Sequence, residues 1–142
     1  MKQLNPYLNF MGTTEAAMNF YKSIFGGEFI TFSRYKDIPG GEKMLAEEQN
    51  LIMHASLRVG STMLMATDML KSMGHALTTG NNVSICIDAD SEKEVDRLFQ
   101  ALSAGGKVEM PVNKTFWGAY FGMCDDKFGI KWMINYTLPT GN

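Results

Sequence analysis

His54 is the side chain whose type and setting best suit chemistry. It stands in Leu51–Val59 (LIMHASLRV), where Leu51, Met53, Ala55, Leu57 and Val59 alternate with Ile52, His54, Ser56 and Arg58. Alternation at period two predicts a strand with one apolar and one mixed face. An imidazole ionises near neutrality, so a mixed-face His54 is a candidate acid, base or lone metal ligand. The competing reading is a buried histidine satisfied by a neighbour. Two more stretches share the pattern. Gln3–Phe10 sets Asn5, Tyr7 and Asn9 against Leu4, Pro6, Leu8 and Phe10, and Asn82–Asp88 sets Asn82, Ser84, Cys86 and Asp88 against Val83, Ile85 and Ile87. If the sheet curls, Asn5, Tyr7, His54, Ser56, Asn82 and Ser84 converge on a small-molecule pocket; if it stays open, they form a solvated face. Arg58 and Lys131 share this parity and suit a rim or an anionic group. Trp117 and Tyr120, within the aromatic run Phe116–Phe121, are candidates to wall a pocket, although core or subunit interface is the commoner use of such rings. Cys86 has no adjacent cation to activate a thiolate, and His75 beside Gly74 reads as a solvated loop histidine. No Ser-His-Asp order, phosphate loop, zinc knuckle or dinucleotide fingerprint is present.

The elements that must position these groups come in two copies. In Thr13–Ile30, Ala17, Phe20, Tyr21 and Ile24 recur at helical spacing, with Thr13 or Thr14 as N-cap, and Gly26-Gly27 follows at once. In Ser91–Met110, Val95, Leu98, Phe99 and Leu102 repeat the spacing and Gly105-Gly106 repeats the stop, with one extra residue before the glycines. Ser91 and Glu94 form an S-x-x-E capping box. Each copy reads as strand, helix, then three strands. The first copy continues with Glu28–Tyr35, a long connection 36–50, Leu51–Val59 and Thr62–Thr67. The second continues with Lys107–Val112, Phe116–Cys124 and Ile130–Tyr136. The two modules span 1–70 and 81–137, and 68–81 reads as the loop between them.

At 142 residues with 45% hydrophobic and 20% charged side chains, one domain, 1–142, is expected, its two modules sharing a core. A net charge of −2 gives no basic field for nucleic acid or anionic lipid. No apolar run reaches the ~20 residues that span a bilayer. MKQLNPYLNF lacks the apolar centre of a signal peptide. Cys86 and Cys124 read as free thiols. A cytoplasmic protein with no membrane or nucleic-acid partner is therefore expected. The 12 methionines read mostly as core filling.

The paired modules, with the F-Y…F-G-G helix exit, resemble the vicinal oxygen chelate superfamily of glyoxalase I, bleomycin-resistance proteins and extradiol dioxygenases. The resemblance is closer to its PhnB-like branch, sometimes labelled demethylubiquinone methyltransferase-like. Pro6-Tyr7, Met53-His54-Ala55, Leu57-Arg58-Val59-Gly60, Thr115-Phe116-Trp117, Phe121-Gly122, Asp126-Lys127-Phe128-Gly129 and Trp132-Met133-Ile134-Asn135 carry it across almost the whole chain. The implied fold is α+β, with two βαβββ modules forming a curved eight-stranded mixed sheet, helices on the convex side and a site inside. Metalloenzymes of the superfamily hold a divalent ion with four side chains, and the matching positions here are Asn5, His54, Asn82 and Met133. Of these only His54 is a good ligand, and Met133 suits only a soft metal such as copper(I), so a complete divalent site is not expected. No carboxylate stands where the family places its general base. The resemblance implies a small-molecule ligand and a homodimer. It also implies one of two functions: a metal-assisted lyase, isomerase or dioxygenase with a degenerate site and His54 as its catalytic group, or a non-catalytic protein that binds or sequesters a drug-type molecule. Nothing resembles the glycine-rich nucleotide loop a methyltransferase needs.

Overall fold

The structure is a computed structural model that describes residues 1–140. Two compact units, Met1–Thr78 and Thr79–Asn142, divide the chain within the 68–81 segment. In the first, strand β1 (Tyr7–Phe10) leads to helix α1 (Thr14–Phe25), β2 (Glu28–Arg34), a short α2 (Ala46–Gln49), β3 (Ile52–Val59) and β4 (Thr62–Asp68). In the second, β5 (Ile85–Asp88) leads to α3 (Glu92–Ser103), β6 (Lys107–Lys114), β7 (Ala119–Asp125) and β8 (Lys131–Thr137). Each unit holds one four-stranded mixed sheet, in the orders β1-β4-β3-β2 and β5-β8-β7-β6. β1 and β5 run parallel to β4 and β8, and the other pairs are antiparallel. The α+β class and the βαβββ modules are as expected, and the strands pair as two sheets of four where one sheet of eight was expected.

In each unit one sheet face is covered by the long helix. α1 buries Ala17, Met18, Tyr21 and Ile24 against the face that carries Leu8, Phe10, Ala55, Leu57, Leu64 and Ala66. α3 buries Val95, Leu98 and Leu102 over the face carrying Cys124, Trp132 and Ile134. Each large side chain removed from water stabilises by about 1.5–3 kcal/mol, which makes these the cohesive faces.

The paired glycines do more than stop a helix. Gly26 and Gly27 have φ of 74° and 85°, in the left-handed region. A Cβ on Gly27 would collide with the carbonyl oxygen of Arg58 in β3, and one on Gly106 with that of Asp125 in β7. The glycines let the chain leave the helix in backbone contact with a neighbouring strand, in both units alike.

The two helix starts differ. Ser91 Oγ accepts from the Glu94 N–H at 3.0 Å, while Glu94 Oε1 accepts from the Asp90 N–H instead of the Ser91 one. Thr13 sits at the N-cap of α1 without a side-chain bond. The cap comes from β4: Asp68 Oδ1 accepts from the N–H of Gly12 (2.8 Å), the N–H of Thr14 (3.1 Å) and the hydroxyl of Thr14 (2.8 Å). A carboxylate there also suits the positive end of the helix.

Candidate ligand-binding face

The face of the first sheet turned away from α1 holds His54, and two bulges decide what shares that face. Between Phe29 and Thr31 the β2–β3 register slips by one, leaving Ile30 unpaired. Phe29 and Phe32, opposed by sequence parity, therefore lie together on the helix side, with ring centroids 5.0 Å apart. Between Ser33 and Arg34 a second slip leaves Met53 unpaired, since Ser33 faces His54 and Arg34 faces Ile52. Strict alternation put Ile52 beside His54 and Met53 with Ala55. The bulge reverses this: Ile52 is fully buried with the core and Met53 is half-buried. It is pinned from both sides. Asp68 Oδ2 accepts from the Ile52 N–H at 2.9 Å, and the Thr67 hydroxyl donates to the Met53 carbonyl at 2.6 Å.

What remains on the open face is polar apart from methionine, and in register. Tyr7, Met65, Ser56 and Thr31 form one row across all four strands. Asn9 pairs with Thr67, and His54 with Ser33, in the next row. Tyr7 Oη lies 3.2 Å from His54 Nδ1, with the two rings 5.6 Å apart and tilted by 31°. Ser56 is buried beside them, and Arg58 is exposed farther along the strand.

The other expected site residues stand in other elements. Asn5 precedes β1, which starts at Tyr7 and not Gln3, and its Oδ1 accepts from the Met63 N–H at 3.1 Å. It stitches the chain's start to β4 below Pro6, whose carbonyl accepts from Met65 N–H. Asn82 and Ser84 fall outside a strand: β5 begins at Ile85, opposite Trp132 near the start of β8. Trp117 lies in a turn, not in a strand: the Gly118 N–H bonds the Thr115 carbonyl, and Phe116 and Trp117 are 97% and 57% exposed. Tyr120 is on the helix face of the second sheet, where its hydroxyl donates to Asp96 of α3 at 2.7 Å. That bond, then burial and the nearby carboxylates of Asp96 and Glu92, push its ionisation up. Alternation from Ala119 onward sets Tyr120 and Phe121 on opposite faces, and Tyr120 takes the helix side with Cys124. Met133 lies on the open face of the second sheet, paired with Cys86 and Met123. Lys131 Nζ is held by Asp125 and Glu109 at 2.8 and 3.1 Å, so it is an ion-paired side chain and no free anion receptor. Sequence reasoning missed Asp68, and its parity with Leu64 and Ala66 was the available signal for a buried carboxylate.

The four positions implied for a divalent metal do not fit one. The Asn5 oxygen is bonded to backbone, His54 Nδ1 faces a phenol, Asn82 is an exposed residue outside the sheet and Met133 offers a neutral thioether. Among the described residues no three His, Cys, Asp or Glu side chains are grouped to hold a metal ion.

Paired βαβββ units with this helix exit are the fold of the vicinal oxygen chelate superfamily, and the solved structures agree. The chain is similar to protein PA1353 of Pseudomonas aeruginosa (38% identity, TM-score 0.87, covering 98% of this chain and 100% of that one). It is also similar to a Bacillus cereus PhnB protein described as a putative 3-demethylubiquinone-9 3-methyltransferase (27%, TM-score 0.79, 95% and 99%). A glyoxalase/bleomycin resistance/dioxygenase family enzyme of Burkholderia phytofirmans PsJN shares the fold at 19% identity and TM-score 0.64, covering 93% and 97%. Residues 2–135 match the family model described as 3-demethylubiquinone-9 3-methyltransferase, and the chain belongs to that PhnB-like family. Protein YjdN of Escherichia coli K12 is 33% identical over 140 residues, 93% of each chain. No helix among the described residues is long and apolar enough to cross a membrane.

Proposed function

We propose that the protein binds a small organic molecule on the open face of its first sheet, with Tyr7 and His54 as the recognising pair and no divalent metal. The 3.2 Å approach of Tyr7 Oη to His54 Nδ1 carries this reading. A phenol is the better donor and an unprotonated imidazole nitrogen the better acceptor. Tyr7 then donates to Nδ1, and His54 presents Nε2–H outward. In that state His54 is a hydrogen-bond donor for a ligand oxygen and has no free lone pair for a metal. Met63 and Met65 on the same face supply an adaptable apolar bed for the ligand's body. Non-catalytic binding is therefore favoured over metal-assisted lyase, isomerase or dioxygenase chemistry.

With only two histidines in the chain, ring 15N spectra test this directly. His54 is expected as the Nε2–H tautomer, and Tyr7→Phe is expected to shift its Nδ1 signal and leave His75 unmoved. Benzoate, 4-hydroxybenzoate and benzyl alcohol serve as probes. The two carboxylates should move the His54 signals and raise the Tm, with both effects lost in His54→Gln. Stoichiometric zinc bound through His54, or no probe reaching its signals, refutes the reading.

Two further proposals accompany it. Cys86 and Cys124 lie on opposite faces of the second sheet and are both free, which supports a reducing, cytoplasmic setting. The exposed Phe116–Trp117 pair supports a homodimer, which sedimentation of the wild type and of Trp117→Ser would test. A wild type that sediments as a monomer at micromolar concentration refutes it.

A further inference from the structure

Thr14, Glu48, Ser56, Asp68 and Asp126 are the buried polar and charged residues of the described chain. Four of them are bonded within it. The Thr14 hydroxyl donates to Asp68, whose carboxylate also takes backbone donors. Glu48 accepts from the hydroxyl and the N–H of Ser72, and Asp126 from the indole N–H of Trp132. Ser56, 4% exposed, has no side-chain hydrogen bond among the described residues. No side-chain oxygen or nitrogen there that is fully closed off from solvent lacks a partner. The Ser56 Oγ, having none, therefore keeps a narrow opening. Ala55 and Leu57 on either side of it are fully buried on the α1 side, so that opening gives onto the face that carries Tyr7 and His54. Other hydroxyls of that face are engaged. Thr67 donates to the Met53 carbonyl, Ser33 to the His54 carbonyl, and Tyr7 meets His54 Nδ1.

We propose that Ser56 is a specificity-determining residue of this face and that the ligand it selects is a carboxylate, an inference that rests on the reading of Tyr7 and His54 as the recognising pair. A covered hydroxyl without a partner costs the free protein stability. A binding site carries such a cost, whereas a position serving only the fold gains nothing from it. Met65 and Thr31 are the cross-strand neighbours of Ser56, with Cβ atoms about 4.5–5.5 Å from its own. A slim group reaches the hydroxyl between them, and a ring does not. His54 stands two residues along β3, about 6.4–6.8 Å away at the rise of a strand. A carboxylate only accepts, and it has two oxygens. One takes the Ser56 O–H and the other the His54 Nε2–H, while the body of the ligand lies over Met63 and Met65. Both bonds are then charge-assisted, and such bonds are roughly twice as strong as neutral ones. An alcohol or a carboxamide fills the same positions with neutral bonds. Arg58 follows Ser56 on the open face, but Glu28 of β2 stands opposite it. Their charges offset, so the two short bonds and not a long-range field make the choice.

Benzoate and its neutral isostere benzamide, titrated against the His54 ring signals, test the proposal. Wild type should bind benzoate about 10-fold or more tighter than benzamide. Ser56→Ala should weaken benzoate about 10- to 100-fold, the worth of one hydrogen bond to a charged group. Without ligand the variant should keep the wild-type His54 signals and unfold at the same Tm or higher. Benzoate held as tightly by Ser56→Ala as by wild type overturns the proposal and leaves the Tyr7–His54 reading standing. So does benzamide bound as well as benzoate. A fall in the ligand-free Tm of more than about 3 °C would show a hydroxyl already satisfied by the fold, and overturns it too. Benzoate that never reaches the His54 signals in wild type refutes the Tyr7–His54 reading, and this proposal with it.

Discussion

Replacing Asp68 removes the acceptor on which helix α1 and the His54 strand both depend. The carboxylate is 1% exposed and takes four hydrogen bonds, from the Gly12 N–H, the Thr14 N–H and hydroxyl, and the Ile52 N–H. Thr14 and Ile52 are fully buried, so in Asp68→Ala their two amides face neither water nor protein. Each stranded buried donor costs about 1–3 kcal/mol. The Thr14 hydroxyl can turn elsewhere, and removing a buried charge returns some desolvation energy. A loss of about 3–5 kcal/mol follows, a large share of the ~5–15 kcal/mol that holds a domain together. Asp68→Asn keeps the shape and one oxygen. With that oxygen on the Gly12–Thr14 side, the amide NH2 meets the Ile52 N–H, donor against donor, for a loss of about 1–3 kcal/mol. Urea unfolding followed by tryptophan fluorescence measures both. At a slope of ~1–3 kcal/mol/M the alanine variant's midpoint should fall by more than 1 M, and the asparagine variant's by less. Amide exchange at Thr14 and Ile52 should accelerate most. An alanine variant within 1 kcal/mol of wild type, or the reverse order of the two variants, would show that these bonds do not carry the strand and helix.

Gly27→Ala places a Cβ against the Arg58 carbonyl oxygen at a φ of 85°, and should cost at least about 2 kcal/mol in urea unfolding. Gly60→Ala, also at positive φ but with open space around it, should cost less. Of the two thiols only exposed Cys86 should react with Ellman's reagent in the native protein. Cys124 is fully buried, and that burial followed by the neighbouring carboxylates pushes its thiol up to about 11. Two equivalents of fast-reacting thiol in folded protein would contradict this. The Glu15 carboxyl is held below its ordinary value by its hydrogen bond to Arg34, against a smaller opposing effect of burial. A lowered folded value means the contribution is complete above about pH 4.5 and fades as the pH falls through the folded value. The pair is largely exposed, so Glu15→Gln should cost only about 0.5–1 kcal/mol at pH 7, with the difference from wild type shrinking towards pH 3.

Helix faces, glycine stops and the capped Ser91 were legible because each is a local requirement written at fixed spacing. The strands were legible only as far as alternation held. Ile30, Met53 and Glu109 each add one residue that no period announces, and each turns the following side chains over. Ile52 and Phe29 moved to the core side for that reason. The position of His54 was readable because no bulge separates it from Ala55, Leu57 and the ladder to β4. Asn82, Ser84 and Trp117 lay where alternation in the sequence ran past the strand itself: β5 begins at Ile85, and Trp117 sits in the turn before β7. A strand ends where its partner does, and a single chain's pattern does not show where that is.

The duplicated frame and the divergent faces have one physical origin. Under each helix the packing is shared, so a substitution there creates a cavity or a clash, and the two copies keep the same apolar spacing. On the open side no helix constrains the choice. The rows that correspond by strand are Tyr7–Met65–Ser56–Thr31 in one unit and Cys86–Met133–Met123–Met110 in the other. Only the methionine of the strand beside β1 or β5 is common to both. One copy has become a hydrogen-bonding surface and the other a sulfur surface on equivalent backbone. Substituting Tyr7 or Thr31 in the first row should therefore alter binding more than stability, and substitutions one residue along, under the helix, should do the opposite.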